Sequence, residues 1–296
     1  YDSYSKGIIS TPKPSKLGLK HFVDQYYLQN NGDKLDSHQL YYKSILKNLP
    51  SKLEITISKD LSNNLKYGNG FHFIKDETNL SSISTGGIFR FIISKEILDK
   101  VQLEITEMKV SFFNFMLASY SAFLYCVSNQ NDFIIDSPMS LRNSEESFDL
   151  IGWLTGALVT RVEVKKNVSF RDLLFSCREK ILKGIDHIQY PHFMSDLSDM
   201  NLDWFEISTQ LNVLNDLSSS KGEITDMGKY HYSEDHVLFD IVFMITVHSN
   251  GLEVICTYKN SFAHKSNIEA ICKNFVRILE LAINSPNTNL KCLKIG

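Results

Sequence analysis

The sequence predicts an α/β sandwich built on a mixed β-sheet. Segments that alternate as strands do are interleaved with segments of helical period along most of the chain, which is the pattern of helices layered on a sheet. Two strand-like runs are joined by Ser249, Asn250 and Gly251, and an Asn-Gly pair in that position indicates an antiparallel hairpin. Because such a hairpin accompanies the α/β alternation, we expect a sheet with both parallel and antiparallel neighbours.

The composition is that of a folded globular protein and excludes several classes. Apolar residues make up 43% and charged residues 22% of 296, close to globular averages. The net charge of -3 comes without a basic block, so we expect no nucleic-acid partner. No apolar run approaches the roughly 20 residues that span a bilayer, so we expect a cytosolic protein without a membrane partner.

The cysteines predict core thiols. There are five, widely spaced, with no C-x-x-C pair: Cys126, Cys177, Cys256, Cys272 and Cys292. An odd number at such spacing argues against disulfides and against zinc. Buried free cysteine behaves as a small apolar side chain, so we expect no metal site.

The first part of the chain predicts two helices and then strands. Aromatic and aliphatic residues recur at intervals of three and four between Leu17 and Leu49, as an amphipathic helix pair requires, and Pro50 ends it. Alternation over residues 53–57 and 86–94 predicts strands. Ser94 is suited to cap a following helix, because its hydroxyl can accept from a free amide of the first turn.

The remaining elements follow from the same periodicities. Residues 111–127 are apolar on nearly every face, which predicts a buried, central helix. Helices are also predicted over 169–185, with Ser169 as its cap, and over 268–283. Strands are predicted over 134–140, 158–164, 207–215, 237–249 and 251–259.

Common catalytic motifs are absent from the sequence. It contains no G-x-S-x-G, Walker, G-x-G-x-x-G or H-E-x-x-H pattern, and the glycines of YGNGFHF and STGGIF predict only turns. Three H-x-x-x-D spacings are attributed to chance, at His192 with Asp196, His231 with Asp235 and His236 with Asp240. Asp240 is instead placed at the opening of a strand.

Several blocks, in a fixed order, carry a family resemblance. They are KHFVDQYY, YYKSILKNLP, FFNFMLASYSAFLY, DFIIDSPMSLRN, FDLIGWLTGALVTR, HIQYPHF, FDIVFMITVHSNGLEVICTYKNSF and AINSPNTNLKCLKI. Together they resemble the C-terminal lobe of a nonribosomal peptide synthetase condensation domain, a member of the chloramphenicol acetyltransferase-like superfamily. The resemblance covers essentially the whole chain.

The chain departs from the family pattern at several positions. Tyr42 stands where a tryptophan is usual, and Leu154, Gly156 and Ala157 replace phenylalanine, asparagine and threonine of the I-G-x-F-V-N-T block, although its trailing arginine is matched by Arg161. The family's R-D-x-S-R-N-P-L block is not recognisable.

The resemblance implies one lobe of a two-lobed fold. Condensation domains join carrier-bound groups through an amide bond with a histidine of an H-H-x-x-x-D-G motif in the N-terminal lobe, and that motif is absent here. The chain also begins at Tyr1 without methionine, so we expect a fragment with the first lobe missing. Residues 1–52 would be a helical segment after that lobe, and 53–296 the C-terminal lobe. We expect no catalytic residue in the chain and no activity from it alone.

The resemblance also implies residues that support the site. Arg142 would pair with the aspartate of the other lobe's histidine motif, a task that suits a guanidinium fork. Tunnel-lining candidates are Gly152, Trp153, His187 and Gln189. The alternatives are a solvated arginine, a glycine that serves backbone geometry, a core tryptophan and a loop histidine held by backbone groups.

The implied partners are peptidyl or aminoacyl carrier proteins, whose phosphopantetheine arms enter the tunnel between lobes, and an adjacent adenylation domain. No cofactor would bind directly. Two alternatives stay open: a non-catalytic or degenerate lobe with a carrier-binding or structural role, suggested by the altered blocks, and a free-standing CoA- or carrier-dependent acyltransferase. The sequence leaves the donor, the acceptor and the product undetermined.

Overall fold

The structure, a computed structural model, describes residues 18–29, 31–49, 52–54, 71–74, 86–128, 130–142, 144–152, 154–189, 209–215, 239–262 and 265–293. The helices are α1 (Leu19–Gln29), α2 (Asp33–Ile45), α3 (Lys95–Met108), α4 (Phe112–Ser128), α5 (Glu145–Phe148), α6 (Phe170–Gly184) and α7 (Lys265–Asn284). The strands are β1 (Phe71–Ile74), β2 (Gly86–Ser94), β3 (Asp132–Ser140), β4 (Thr155–Glu163), β5 (Thr209–Asn215), β6 (Ile241–His248) and β7 (Gly251–Lys259).

The strands form one mixed sheet, as the sequence predicts. Their order is β1-β2-β7-β6-β5-β3-β4. The β3–β5 and β5–β6 pairs are parallel, and the other pairs are antiparallel. Strands β3 and β5 are neighbours, but the strands that follow them in the chain lie on opposite sides of this pair. Strand β4 lies next to β3, and β6 lies next to β5. The sheet therefore has a topological switch point between β3 and β5.

The main core lies on one face of the sheet. Helix α4 is buried from Asn114 to Ser128, as predicted from its all-round apolar sequence. Phe123 of α4 and Phe275 of α7 pack on Phe243 of β6, with ring centroids 5.6 Å and 5.0 Å from it. Aromatic pairs at such distances stabilise a core beyond the area that they bury.

Local capping and turn signals of the sequence are confirmed. The Ser94 hydroxyl accepts from the amide of Ile97 at 3.5 Å at the start of α3. Ser169 and Asp172 form a reciprocal capping box at the start of α6, which satisfies otherwise unpaired amides. In the β6–β7 hairpin, His248 pairs with Gly251, whose φ of 145° favours glycine.

Strand β1 was not predicted. Its four residues, FHFI, lie in a stretch that we interpreted as turn glycines. So short a run shows too little alternation, and its regular structure depends on pairing with β2. The strand predicted over 53–57 is not observed at residues 53 and 54, and its remainder lies outside the described residues.

Strand β6 begins at Ile241, four residues later than predicted, and Phe239 and Asp240 form a bend. Asp240 is buried at this bend and lies 2.9 Å from Lys52 Nζ and 3.3 Å from Lys259 Nζ. These ion pairs hold the carboxylate at the entry to the strand. The histidines of the three H-x-x-x-D spacings lie outside the described residues.

Two further findings concern membrane-spanning helices and the cysteines. Within the described ranges no single helix is long and apolar enough to cross a membrane; α3 and α4 pass that test only as a pair, bent by 107° at the break between them. The four cysteines with described side chains, Cys126, Cys177, Cys256 and Cys272, are buried and are not joined in disulfides.

Candidate functional site

The candidate site is built around the switch point between β3 and β5. These strands run parallel and, over their described residues, pair through a single register position, Asp136 with Gln210. Beyond it the rest of each described strand is not paired to the other. In open α/β sheets, the crevice at the carboxyl ends of strands beside a switch point is where ligands bind.

Arg142 lies just past the carboxyl end of β3. Its Nη2 donates to the carbonyl oxygens of Leu150 at 3.2 Å and Gly152 at 3.3 Å. Arg142 belongs to the loop between β3 and β4. A hydrogen bond of 2.9 Å from the Leu141 amide to the Leu154 carbonyl closes this loop at its base. Arg142 is thus half-buried and held by its own loop. Among the described residues it forms no ion pair, and its pairing with another lobe stays a prediction.

Gly152 and Trp153 lie in the same loop. Gly152 is exposed, and a Cβ added to it would lie 3.1 Å from a methyl group of Leu19 on α1. Its φ lies outside the left-handed region, so the expectation that this glycine supplies unusual torsions is wrong. Its observed roles are to accept from Arg142 and to leave room for α1. Trp153 lies outside the described residues.

His187 is held by side chains of α2. It ends the 3-10 turn Ile185–His187 after α6. Its Nδ1 lies 2.8 Å from Nδ1 of the buried His38, its ring stacks on Tyr41 at 4.1 Å between centroids, and its carbonyl accepts from the Tyr42 hydroxyl at 3.2 Å. The alternative of a loop histidine held by backbone groups is therefore wrong.

The surroundings of this pair favour the neutral form of both rings. Burial lowers the pKa of His38, and the nearby His187 and Lys34 lower it further, against an opposing effect of Asp186. Burial also lowers the pKa of His187. In a pair of neutral rings one Nδ1 donates and the other accepts. The pair is suited to joining α2 to the 3-10 turn.

Gln189 lies in the turn after this pair and is half-buried. The preceding carbonyl, that of Ile188, lies so close to Gly156 of β4 that a Cβ on Gly156 would overlap it. The glycine in place of the family's asparagine therefore has a local physical reason. The assignment of Gln189 and His187 to a tunnel wall stays a prediction.

Asp136 was missed by the sequence reasoning. It is 4% exposed, and its Oδ2 accepts from Gln210 Nε2 at 2.7 Å. Its other oxygen, Oδ1, is buried without a hydrogen-bond partner. Burial raises the pKa of Asp136 to about 6, although the hydrogen bond from Gln210 and the nearby backbone amide of Ser137 oppose the rise. The one available signal was an aspartate inside the apolar run FIID.

The described residues contain no cluster of three or more histidine, cysteine, aspartate or glutamate side chains that could hold a metal ion. The groups near the switch point that could act on a ligand are the Arg142 guanidinium, the Gln210 side-chain amide and the buried carboxylate of Asp136.

Comparison with known proteins identifies the family. The family model described as "Condensation domain" matches residues 13–295. A linear gramicidin synthase polypeptide from Brevibacillus parabrevis is 24% identical over 217 residues, 71% of this chain and 4% of that protein. A plipastatin synthase polypeptide from Bacillus subtilis (strain 168) is 27% identical over 218 residues, 71% of this chain and 6% of that protein. The chain thus spans a small part of these relatives.

Solved structures share the fold. The condensation domain of the monacolin K polyketide synthase MokA superposes with a TM-score of 0.75 at 12% identity, covering 98% of this chain and 66% of that one. The X-domain from teicoplanin biosynthesis gives 0.75 at 13% identity, covering 100% and 66%. At these identities the likeness establishes the α/β architecture, and the function of each structure remains its own.

Proposed function

Because this chain belongs to the condensation-domain family, we propose that it forms the C-terminal lobe of an amide-bond-forming acyltransferase in a modular peptide synthetase. The observation that carries the proposal is the family match over residues 13–295. The braced Arg142 loop beside the β3–β5 switch point supports it, because it holds a cationic fork at the end of the sheet where ligands are expected.

The proposal includes a second lobe that brings the catalytic imidazole. An amine that attacks a thioester must lose a proton, which requires a base or an orienting imidazole near it. The sequence has no H-H-x-x-x-D-G motif, and the solved relatives are about half as long again as the part that this chain covers. His187 is a poor candidate for the base, because its ring is engaged by His38 and Tyr41.

The substrates would arrive on carrier proteins. Their phosphopantetheine arms would enter between the two lobes and meet the crevice beside β3, and the chain itself would bind no other cofactor. An adjacent adenylation domain and a cytosolic location are part of the same proposal.

Reconstitution tests this function. The purified chain is mixed with one carrier loaded with an acyl donor and one with an aminoacyl acceptor, with and without an N-terminal lobe that carries the H-H-x-x-x-D-G motif. We expect amide product, detected by mass spectrometry of the carriers, only when the second lobe is present. The matched control is the same lobe with its second motif histidine replaced by alanine.

Two outcomes of the reconstitution would contradict the proposed function. Amide formation by this chain alone would contradict the requirement for a second lobe. The absence of product with a lobe that associates with the chain and folds would favour the non-catalytic, carrier-binding role instead.

A further inference from the structure

We propose that the buried carboxylate of Asp136, beside the switch point between β3 and β5, binds the amine of the acceptor substrate. The inference rests on the proposed function and assigns to it a residue that contacts the substrate. It is carried by three observations: an unpartnered buried oxygen, the position of that oxygen in the sheet and the chemistry of its neighbours.

The carboxylate of Asp136 is incompletely paired. Gln210 Nε2 donates to Oδ2 at 2.7 Å, while Oδ1 is buried and accepts no hydrogen bond from the described residues. Burial without a full set of partners is costly for a charged group, and buried polar atoms in native proteins are nearly always paired. An aspartate kept in this state inside an apolar strand has a use beyond folding, because an apolar residue or an asparagine would fold at a smaller cost.

Asp136 lies at the switch point of the sheet. Asp136 is the fifth residue of β3 and pairs with Gln210, the second residue of β5. Over the described residues this is the one register position that joins the parallel strands, so the unpaired remainders of both strands start there. The carboxylate therefore lies beside the point where the parallel strands stop pairing, on the sheet face that α2 covers.

Among the residues that the structure describes, no side chain supplies the missing donor. Tyr42 of α2 packs beside Ile134 and Val159, which share the sheet face of Asp136. Its hydroxyl donates to the carbonyl oxygens of Ala157 and His187. The missing donor is therefore expected to come from a ligand.

The chemistry selects an amine. An ionised carboxylate only accepts hydrogen bonds, and its strongest partners are cationic N–H groups. A metal ion would need several more oxygen or nitrogen ligands, and the described residues offer no such cluster. The acceptor of an amide-forming reaction carries a primary amine, which is protonated in water and fits a single buried carboxylate.

Matched ligands test the assignment in the two-lobed domain. The probes are alanyl-aminopantetheine and propionyl-aminopantetheine, two stable amides that differ only by the amine. Their dissociation constants are measured by calorimetry for the unchanged protein, for Asp136→Asn and for the control Glu163→Gln on β4. We expect the alanyl probe to bind the unchanged protein more tightly. Asp136→Asn should raise the dissociation constant of the alanyl probe about tenfold or more, because a charge-assisted hydrogen bond is lost. The dissociation constant of the propionyl probe should change by less than about twofold.

A second measurement separates binding from folding. Because burial penalises the ionised carboxylate, Asp136→Asn should raise the melting temperature at pH 7.5, so that lost amine binding in a more stable protein supports a role in recognition. Equal binding of the two probes by the unchanged protein, or an equal effect of Asp136→Asn on both, would overturn the inference and leave the proposed function standing. Failure to bind either probe would count against the proposed function itself.

Discussion

At the scale of the residue, the site is defined by which polar groups have partners. One nitrogen of the Arg142 guanidinium, Nη2, donates to the carbonyls of Leu150 and Gly152. A guanidinium carries five N–H donors. The remaining N–H groups of Arg142 can therefore donate to a group outside this chain. Asp136 has one oxygen satisfied and one not. Arg142 is thus held by the loop that follows β3 and Asp136 by Gln210 of β5, while both keep hydrogen-bonding capacity for a ligand or a second lobe.

Arg142→Ala should lower the rate of amide formation by the two-lobed domain about tenfold or more, the range expected for loss of hydrogen bonds to a charged group. The loop should loosen as well, because two carbonyls lose their donor. The rate is measured in single-turnover assays with loaded carriers, and Arg142→Lys is compared because it keeps the charge but not the fork.

Arg178→Ala on α6 is the matched control for this prediction, since Arg178 forms no ion pair in the described part of the chain. An unchanged rate for Arg142→Ala would remove Arg142 from the site. A rate loss that Arg142→Lys fully restores would assign its role to charge alone.

At the scale of the element, α2 is the unit that ties the site to the sheet. Tyr42 and Leu46 pack on Ile134 and Val159, and His38 and Tyr41 hold the turn that carries His187. The end of the helix is fixed by Arg161 of β4. Since α2 contacts both the strands and the turn, its docking sets where His187 and Gln189 lie.

Arg161→Met should destabilise the chain by about 1–3 kcal/mol, because it leaves the half-buried Asp132 carboxylate and Ile45 carbonyl without their donors. Arg161 makes a bidentate pair with Asp132, at 2.9 Å and 2.7 Å, and also donates to the carbonyls of Ile45, Lys47 and Asn48. The free energy of unfolding is measured in urea. Arg178→Met serves as the control and should change it by less than about 0.5 kcal/mol; a similar value for Arg161→Met would mean that the helix end is not fixed by this residue.

Docking of α2 should weaken as pH falls below 6.5. The pKa values of His38 and His187 are lowered in the folded state, chiefly by burial, so the unfolded chain takes up protons first. The stability that the neutral pair contributes is fully present above 6.5 and is lost as pH falls through the lowered values. Protonation of both rings also leaves two donors facing each other across 2.8 Å.

Hydrogen exchange detects this effect. Amides of residues 33–45 should exchange faster at pH 5.5 than at pH 7.5 after correction for intrinsic rates, whereas His38→Gln should exchange fast at both. His21→Gln, an exposed change on α1, should behave as the unchanged chain does. A pH response that survives in His38→Gln would assign it to groups other than this pair.

At the scale of the whole molecule, one mixed sheet organises every candidate residue. The helical layer on the core face gives α4 its burial, and the opposite direction of the chain after β3 and after β5 produces the switch point. Arg142 follows β3, Asp136 lies on it, Gln210 faces it from β5, and His187 lies against β4 through α2. Residues that are distant in the sequence are thus brought to the same three neighbouring strands, β5, β3 and β4.

The sequence by itself determined most of the local structure and the family. Strand β2, the caps at Ser94 and Ser169, the buried helix α4 and the β6–β7 hairpin depend on periodicity and on residues within one or two turns of each other, so they could be predicted from neighbours alone. Ordered blocks along the chain predicted the condensation-domain family. Short-range patterns carry this information because they reflect local sterics and hydrogen bonding.

The tertiary structure decided what depends on partners distant in the sequence. Strand β1 needs β2, Gly156 needs the turn at Ile188, His187 is paired by His38 from 149 positions away, and the explanation given for Gly152 was wrong because its neighbour α1 was unknown. Asp136 could not be singled out, since a strand sequence does not say whether a polar side chain has a partner across the sheet. Burial and pairing are properties of the assembled fold, and they are what make that carboxylate a candidate for function.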